Sequence, residues 1–96
     1  MTTAWAEGSY GIRRFDGVDR VTRRYFEGNT TPWEEITWDK FNLKMAQAQT
    51  DGWLLANRHV PRIIWFGTEP LPNTGLASVI ARELKKAGIT DYVVQP

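Results

Sequence analysis

The pattern of apolar residues in the second half of the chain predicts one helix between two strands. One stripe has helical spacing: Leu76, Val79, Ile80, Leu84 and Ala87. Gly88, directly after that stripe, is typical of the residue that follows a helix. The apolar run 62–66 predicts a strand that Gly67 closes, and residues 89–94 are predicted to form the last strand. A strand, a crossover helix and a second strand together predict a βαβ unit with a parallel strand pair.

A second helical stripe lies in the middle of the chain. Its members are Trp38, Phe41, Met45 and Ala48, at spacings of three, four and three. The segment Thr31-Pro32-Trp33-Glu34 fits a capping box with proline at the first helical position, so the helix is predicted to begin there. Thr50-Asp51-Gly52 predicts its end, and residues 53–56 fit either a last helical turn or a short strand.

The first quarter of the chain predicts a β-hairpin. Asp16-Gly17 is a strong signal for a two-residue hairpin turn, because both central positions of a type I′ turn need positive φ. Pairing the chain around this turn places Phe15 opposite Val18 and Arg13 opposite Arg20. Strand alternation then divides the side chains between two faces. One face carries Tyr10, Ile12, Val21 and Tyr25, and the other carries Arg13, Phe15, Val18, Arg20, Arg24 and Phe26.

An alternative for the same segment is a helix over residues 17–27, capped by Asp16 and ending at Gly28. Valine, threonine and aromatic residues favour the strand interpretation. The whole pattern predicts a single α+β domain over residues 1–96. We expect an N-terminal β-hairpin followed by α-β-α-β, with two helices packed on a small mixed sheet.

Composition excludes several classes of function. A net charge of +1 argues against a general polycation, so any attraction to nucleic acid must be local. The chain has no cysteine, which excludes disulfides, thiol nucleophiles and thiolate metal sites. No targeting segment and no stretch that could span a bilayer is visible. We therefore expect a cytoplasmic protein without a membrane partner.

The segment with the most distinctive chemistry is the predicted hairpin, because five arginines lie between residues 13 and 24. Like charges directly opposite each other destabilise a strand pair by about 0.2–1 kcal/mol, unless an anion bridges them. We therefore assign partner or anion binding to five residues of this segment: Arg13, Phe15, Arg20, Arg23 and Arg24. The acidic segment 27–51, with Glu34, Glu35, Asp39 and Asp51, offers an intramolecular alternative, in which the chain neutralises its own arginines.

Signals for catalysis are weak. His59 is the only histidine, and no cysteine, second histidine or carboxylate cluster accompanies it as in a metal site. The sequence predicts no cofactor. Asn73, Thr74 and Gly75 form a weak ligand candidate, because backbone N–H groups at a helix start, beyond a parallel strand, favour anions. A plain N-cap at Asn73 or Thr74 explains the same residues.

These observations favour a small non-enzymatic protein-interaction module, such as an accessory, inhibitor or assembly protein. Its predicted partner is a protein, of acidic character, which contacts arginines and aromatic residues of the hairpin. The alternative is a nucleic-acid or phosphate-ligand binding protein that uses the same arginines.

Overall fold

The computed structural model describes residues 2–8, 11–29 and 31–95, with side chains from residue 13 onward. Tyr10, which the sequence analysis places on one face of the hairpin, lies outside these residues. The elements in chain order are β1 (Thr2–Gly8), β2 (Gly11–Asp19), β3 (Arg24–Asn29), a 3₁₀ turn (Trp33–Glu35), α1 (Trp38–Ala56), β4 (Arg62–Gly67), α2 (Ala77–Lys86) and β5 (Tyr92–Val94).

Within the described residues, five strands form one mixed sheet in the order β1-β2-β3-β4-β5. The first three strands are antiparallel, and β3, β4 and β5 are parallel. Helices α1 and α2 form the two crossovers and pack against each other. The predicted α+β class, N-terminal hairpin, two helices and mixed sheet are confirmed. Strand β1 is an element that the sequence analysis did not predict.

The predicted hairpin turn is in the wrong place. The chain reverses at residues 20–23 instead of at Asp16-Gly17, and Asp19 pairs with Arg24. The predicted pairing of Arg13 with Arg20 therefore does not occur. The alternative helix over residues 17–27 is also wrong, since this segment is strand, turn and strand.

Asp16-Gly17 forms a bulge in β2 instead of a turn. On β1, Thr2 pairs with Val18 and Ala4 with Phe15, so three steps along β2 match two steps along β1. The extra residue reverses the alternation, which allows both Phe15 and Val18 to pack against the core on the helix side. An Asp-Gly pair suits a bulge as well as a turn, and the partner strand β1 selects the bulge.

The middle helix also differs from the prediction at both ends. Thr31 does not cap it; a short 3₁₀ turn follows, and α1 begins after Thr37, whose hydroxyl accepts a hydrogen bond from the Lys40 N–H at 3.2 Å. The helix continues past Gly52 to Ala56, so residues 53–56 are helical. The predicted start was wrong because a proline at position 32 also fits a short turn.

The C-terminal half follows the prediction closely. Strand β4 spans the expected residues, α2 ends before Gly88, and Gly88 has the positive φ of 88° expected after a helix. Strand β5 is shorter than predicted, because Ile89 is buried in the core before the strand begins at Tyr92. Parallel pairing of β4 and β5 confirms the predicted parallel pair.

Both helices cover the same face of the sheet. Strand positions on that face enter one core with residues of α1 and α2: Phe15, Ala48, Leu54, Ile63, Trp65, Ala77, Ile80 and Leu84. The register places Tyr25, Ile63 and Trp65 on this helix-covered face. The intervening residues Phe26, Ile64 and Phe66 therefore lie on the other face, which we call the open face.

Candidate functional site

The structure divides the predicted arginine surface into a buried part and an exposed part. Arg13 and Phe15 lie on the helix-covered face of β2 and are 5% and 0% exposed. Arg20 and Arg23 lie in the exposed turn between β2 and β3, and Arg24 is half-buried at the start of β3. Arg13 and Phe15 therefore have no surface to offer a partner, whereas the three other arginines do.

The interior holds a network of buried ion pairs around Arg13. Its Nε donates to Oδ1 of Asp51 at 2.9 Å, and its Nη1 lies 3.2 Å from Oε1 of Glu27. The guanidinium also stacks on the ring of Phe15, 4.4 Å from the ring centroid. The arginine is thus paired with two carboxylates and packed against an aromatic ring.

Lys44 and Trp65 complete this arrangement. The Lys44 ammonium donates to Oε2 of Glu27 at 2.8 Å and to the carbonyl oxygen of Gly28 at 3.3 Å. The indole N–H of Trp65 donates to Oδ2 of Asp51 at 2.8 Å. Basic and acidic groups alternate as Lys44, Glu27, Arg13 and Asp51, and we call these four residues the ion network.

The ion network is neutral, since two cations face two carboxylates. Burial raises the pKa of Asp51 above its ordinary value of 3.8, although Arg13 and the Trp65 N–H act in the opposite direction. Charges removed from water this way are tolerated only when they are paired and hydrogen-bonded. The chain therefore neutralises Arg13 with its own acidic residues, as the intramolecular alternative predicted, and Asp51 is one of the two partners.

Two members of the ion network, Glu27 and Lys44, were missed by the sequence analysis. The signal for Lys44 is its position, because Lys44, Ala48 and Asp51 are spaced by four and three residues along α1 and form its buried stripe. The predicted stripe through Trp38 is rotated from this face, and Trp38 is 67% exposed. A charged residue at helical spacing from another buried one is the pattern that could have identified the network.

The exposed part of the predicted surface is a tightly constructed turn. The Asp19 carboxylate accepts the backbone N–H groups of Val21 and Thr22 at 3.0 and 3.3 Å. These two hydrogen bonds lower the pKa of Asp19 below 3.8. Arg23 adopts a φ of 58°, in the left-handed region that lets the chain turn into β3. We call residues 19–24 the arginine turn.

The arginine turn presents an apolar side chain between basic ones. Val21 is 93% exposed, and Arg20 and Arg23 are exposed on either side of it. Ordinary turns carry polar residues at such positions. The turn therefore combines a fixed backbone, one projecting apolar side chain and guanidinium groups.

Basic residues gather at the end of the sheet where the parallel strands begin. The arginine turn, the loop before β4, the start of β4 and the last turn of α2 supply them: Arg20, Arg23, Arg24, Arg58, Arg62, Lys85 and Lys86. Three acidic residues lie at the same end: Asp19, Glu83 and Asp91. The opposite end, where the parallel strands finish, carries Glu34, Glu35, Asp39 and Glu69 with one lysine, Lys40. Charge therefore changes sign along the strand direction.

The weak ligand candidate near α2 lies at the acidic end. Asn73, Thr74 and Gly75 are exposed, and Gly75 has a φ of 76°. Thr74 and Gly75 line a cleft of about 360 Å³ together with Trp33 and Glu34, whose carboxylate would repel an anion. No side chain caps α2, so the N-cap expected at Asn73 or Thr74 is not observed.

His59 shows no partner for catalysis in the described part of the chain. It is exposed, and its ring lies 4.9 Å from that of Trp53. Across residues 2–8, 11–29 and 31–95, no group of three or more histidine or carboxylate side chains could hold a metal ion. The same residues contain no helix with the length and apolar character needed to cross a bilayer.

Comparison with protein-family models, with curated proteins and with solved structures found no match to this chain.

Proposed function

We propose that this protein is a small non-enzymatic protein-interaction module that binds an acidic partner protein through the arginine turn. The observation that carries the proposal is Val21, which is 93% exposed between two exposed arginines. Such a surface, with one projecting apolar side chain between guanidinium groups, suits a partner that has an apolar pocket bordered by carboxylates.

The construction of the turn supports recognition by a fixed shape. Because Asp19 holds the N–H groups of Val21 and Thr22, little conformational freedom remains to be lost on binding. Preorganisation of this kind improves affinity by lowering the entropic cost of association. Arginine is also among the residue types enriched in the energetically dominant part of protein interfaces.

The charge distribution supports an acidic partner. The arginine turn belongs to the basic end of the sheet, where seven basic residues outnumber three acidic ones. Complementary charge raises association rates and disfavours wrong partners more than it raises affinity. We therefore expect binding to weaken with salt, but less steeply than binding to a polyanion.

Nucleic acid is the competing partner, and the turn is less suited to it. Single-stranded nucleic acid is usually held by aromatic rings on which bases stack. Phe15, the ring assigned that role from the sequence, is fully buried, and the residue at the tip of the turn is Val21.

The experiment that tests the proposal uses the absence of cysteine from the chain. A Val21→Cys variant carrying a thiol-linked photo-crosslinker is exposed to extract of the source cells. We expect it to crosslink a protein with an acidic surface, and the crosslink to be lost in an Arg20→Ala/Arg23→Ala background. Leu43→Cys is the matched control, since Leu43 is 50% exposed on α1.

A parallel titration separates the two partner classes. Fluorescence anisotropy with labelled single-stranded DNA and RNA is measured at low and at near-physiological salt. Tight binding that falls linearly against the logarithm of salt concentration would support the nucleic-acid alternative. Equal crosslinking from Val21→Cys and Leu43→Cys, insensitive to both arginines, would contradict the proposed surface.

A further inference from the structure

Strand β4 is apolar on both of its faces. Ile63 and Trp65 point into the core, while Ile64 and Phe66 lie on the open face. Parallel strands with this composition occur almost only in sheets that are covered on both faces. In the described part of this chain, the two helices cover one face only. The sequence of β4 thus indicates a second covering layer that these elements do not supply.

The open face carries a continuous apolar patch. Phe26 and Phe66 are half-buried and meet edge to face, with ring centroids 6.4 Å apart. The Phe66 ring lies across Gly28, so close that a Cβ there would stand 2.6 Å from it. Ile64 is shielded between its neighbours, and Val93 of β5, which pairs with Phe66, is 42% exposed. None of these four residues belongs to the core under the helices.

Charge along the strands suggests what covers this patch. The open face lies between a basic end and an acidic end, as described above. A twofold axis perpendicular to the strands would place a second copy with its acidic end over the first copy's basic end. The same operation brings the two apolar patches together. The molecule is therefore complementary to itself in both charge and hydrophobicity about one axis.

We propose that two copies of the chain pack their open faces together and form a symmetric dimer. The contact is isologous, so each copy buries the same partly exposed residues: Phe26, Phe66 and Val93. Packed sheets of this kind cross at about 30° with side chains interdigitated. This interface goes beyond the proposed function, and its apolar contact residues do not include Arg20, Val21 or Arg23.

The size of the patch sets the strength of the dimer. Strands β3 and β4 have six residues each and β5 has three, so at about 4.8 Å between strands and about 3.3 Å per residue the contact covers about 240 Å² on each copy. Such an area lies below the range of standard specific interfaces, so the association is expected to be weak and transient. We expect a dimer that dissociates on dilution into the low micromolar range.

Sedimentation velocity of the full chain between about 5 and 500 μM tests the proposal, since a weak dimer dissociates in this range. Wild-type protein is expected to shift from monomer to dimer, and added salt to weaken the association. Val93→Lys and Phe66→Ser should each raise the dissociation constant at least about tenfold. Val21→Lys and Leu43→Ser are matched controls, because these exposed residues lie away from the open face.

Circular dichroism of each variant checks that the fold persists. Val93 is an exposed residue of a three-residue edge strand, so Val93→Lys retains the core even if Phe66→Ser does not. A wild-type monomer over the whole range would overturn the proposal, as would a dimer unaffected by Val93→Lys. If the monomer crosslinks a partner protein and Val93→Lys abolishes that crosslink, the open face binds the partner instead. A dimer that crosslinks no partner would leave this inference standing and remove the proposed function.

Discussion

Replacement of Asp51 by asparagine is the most direct test of the ion network. The substitution keeps the size of the side chain and removes its charge. Arg13 and Lys44 then share one carboxylate, Glu27, so the buried group has two cations and one anion. The new side chain has one amide oxygen, which can accept from the Trp65 N–H or from Arg13 Nε, and its NH₂ group then faces the other donor. The substitution therefore leaves an uncompensated buried positive charge and one donor without its acceptor.

The expected cost is large compared with the stability of the domain. Removing one partner of a buried ion pair costs about 3–5 kcal/mol, because the other charge stays buried without its partner. Whole domains are stable by about 5–15 kcal/mol. Asp51→Asn should therefore remove at least about a fifth of the free energy of unfolding, and most of it if the domain is marginally stable.

Urea unfolding followed by far-ultraviolet circular dichroism measures this loss. With a slope of about 1 kcal/mol per molar urea for a small domain, the midpoint should fall by about 3 M or more. Asp91→Asn is the matched control, since Asp91 pairs with Arg62 at the surface and the side chains are 44% and 47% exposed. An exposed pair contributes about 0–1 kcal/mol. Equal losses for both variants would refute the argument.

A double-mutant cycle gives the second criterion. Arg13→Met combined with Asp51→Asn removes one cation and one anion and leaves the neutral pair Lys44–Glu27, 2.8 Å apart. Methionine retains much of the packing of Arg13 on Phe15. The double variant should therefore be more stable than the sum of the single losses predicts, by about 1–3 kcal/mol. Additivity within about 0.5 kcal/mol would show that the two side chains do not interact.

Three further predictions concern pH, the sheet and the turn. In Arg13→Met, Asp51 loses the cation that opposes its raised pKa. A carboxyl group whose pKa is higher in the folded state makes that state more stable as it is protonated, so the loss in free energy of unfolding relative to wild type should narrow from about pH 7 to about pH 5. A loss that stays constant in urea unfolding over this range would contradict the prediction. Gly67→Ala should destabilise the protein more than Gly28→Ala. The new Cβ at position 67 would meet the Asn29 carbonyl oxygen at 2.9 Å and the Tyr92 hydroxyl, whereas at position 28 only the half-exposed Phe66 ring must move. Melting temperatures of the two variants decide the order, and a cost of about 1–3 kcal/mol is expected for Gly67→Ala. Asp19→Ala should lower the protection of backbone amides in the arginine turn against hydrogen exchange, measured relative to the intrinsic rate at each pH. Because the pKa of Asp19 is lowered, wild type should lose this protection only below pH 3.8, and unchanged protection in Asp19→Ala would show that its hydrogen bonds do not hold the turn.

The parts of the fold that could be predicted from the sequence are those with local signals. Strand β4 is a continuous apolar run that ends at Gly67, and helix α2 has a clear helical period with Gly88 shortly after its end. The connections between β4, α2 and β5 favour a parallel strand pair. No distant residue is needed to reach these conclusions. The arginine turn could be recognised as basic, but its position could not be fixed, because Asp16-Gly17 fits a bulge as well as a turn.

The parts that could not be predicted depend on contacts between distant residues. The bulge exists because β1 pairs with β2, and the signal for β1 is weak in the sequence. Burial of Arg13 depends on Asp51, 38 residues away, and on Glu27 in the next strand. Helix α1 packs Phe41, Met45 and Ala48 of the predicted stripe against the core. It also buries Lys44 and Asp51, which a search for apolar periodicity alone does not find.

The bulge at Asp16-Gly17 sets the register in which β2 brings Arg13 to the ion network, and this links the network to correct strand pairing. A slip of β2 by one residue would turn Arg13 to the opposite side of the sheet. Asp51 and Glu27 would then be buried without that guanidinium, and the chain would face the penalty for unpaired interior charge. A slipped pairing would also turn Phe15 out of the core, so the lost ion pairs add to the lost apolar burial and raise its free energy further. We therefore expect the ion network to favour the observed register of β2 over registers shifted by one residue.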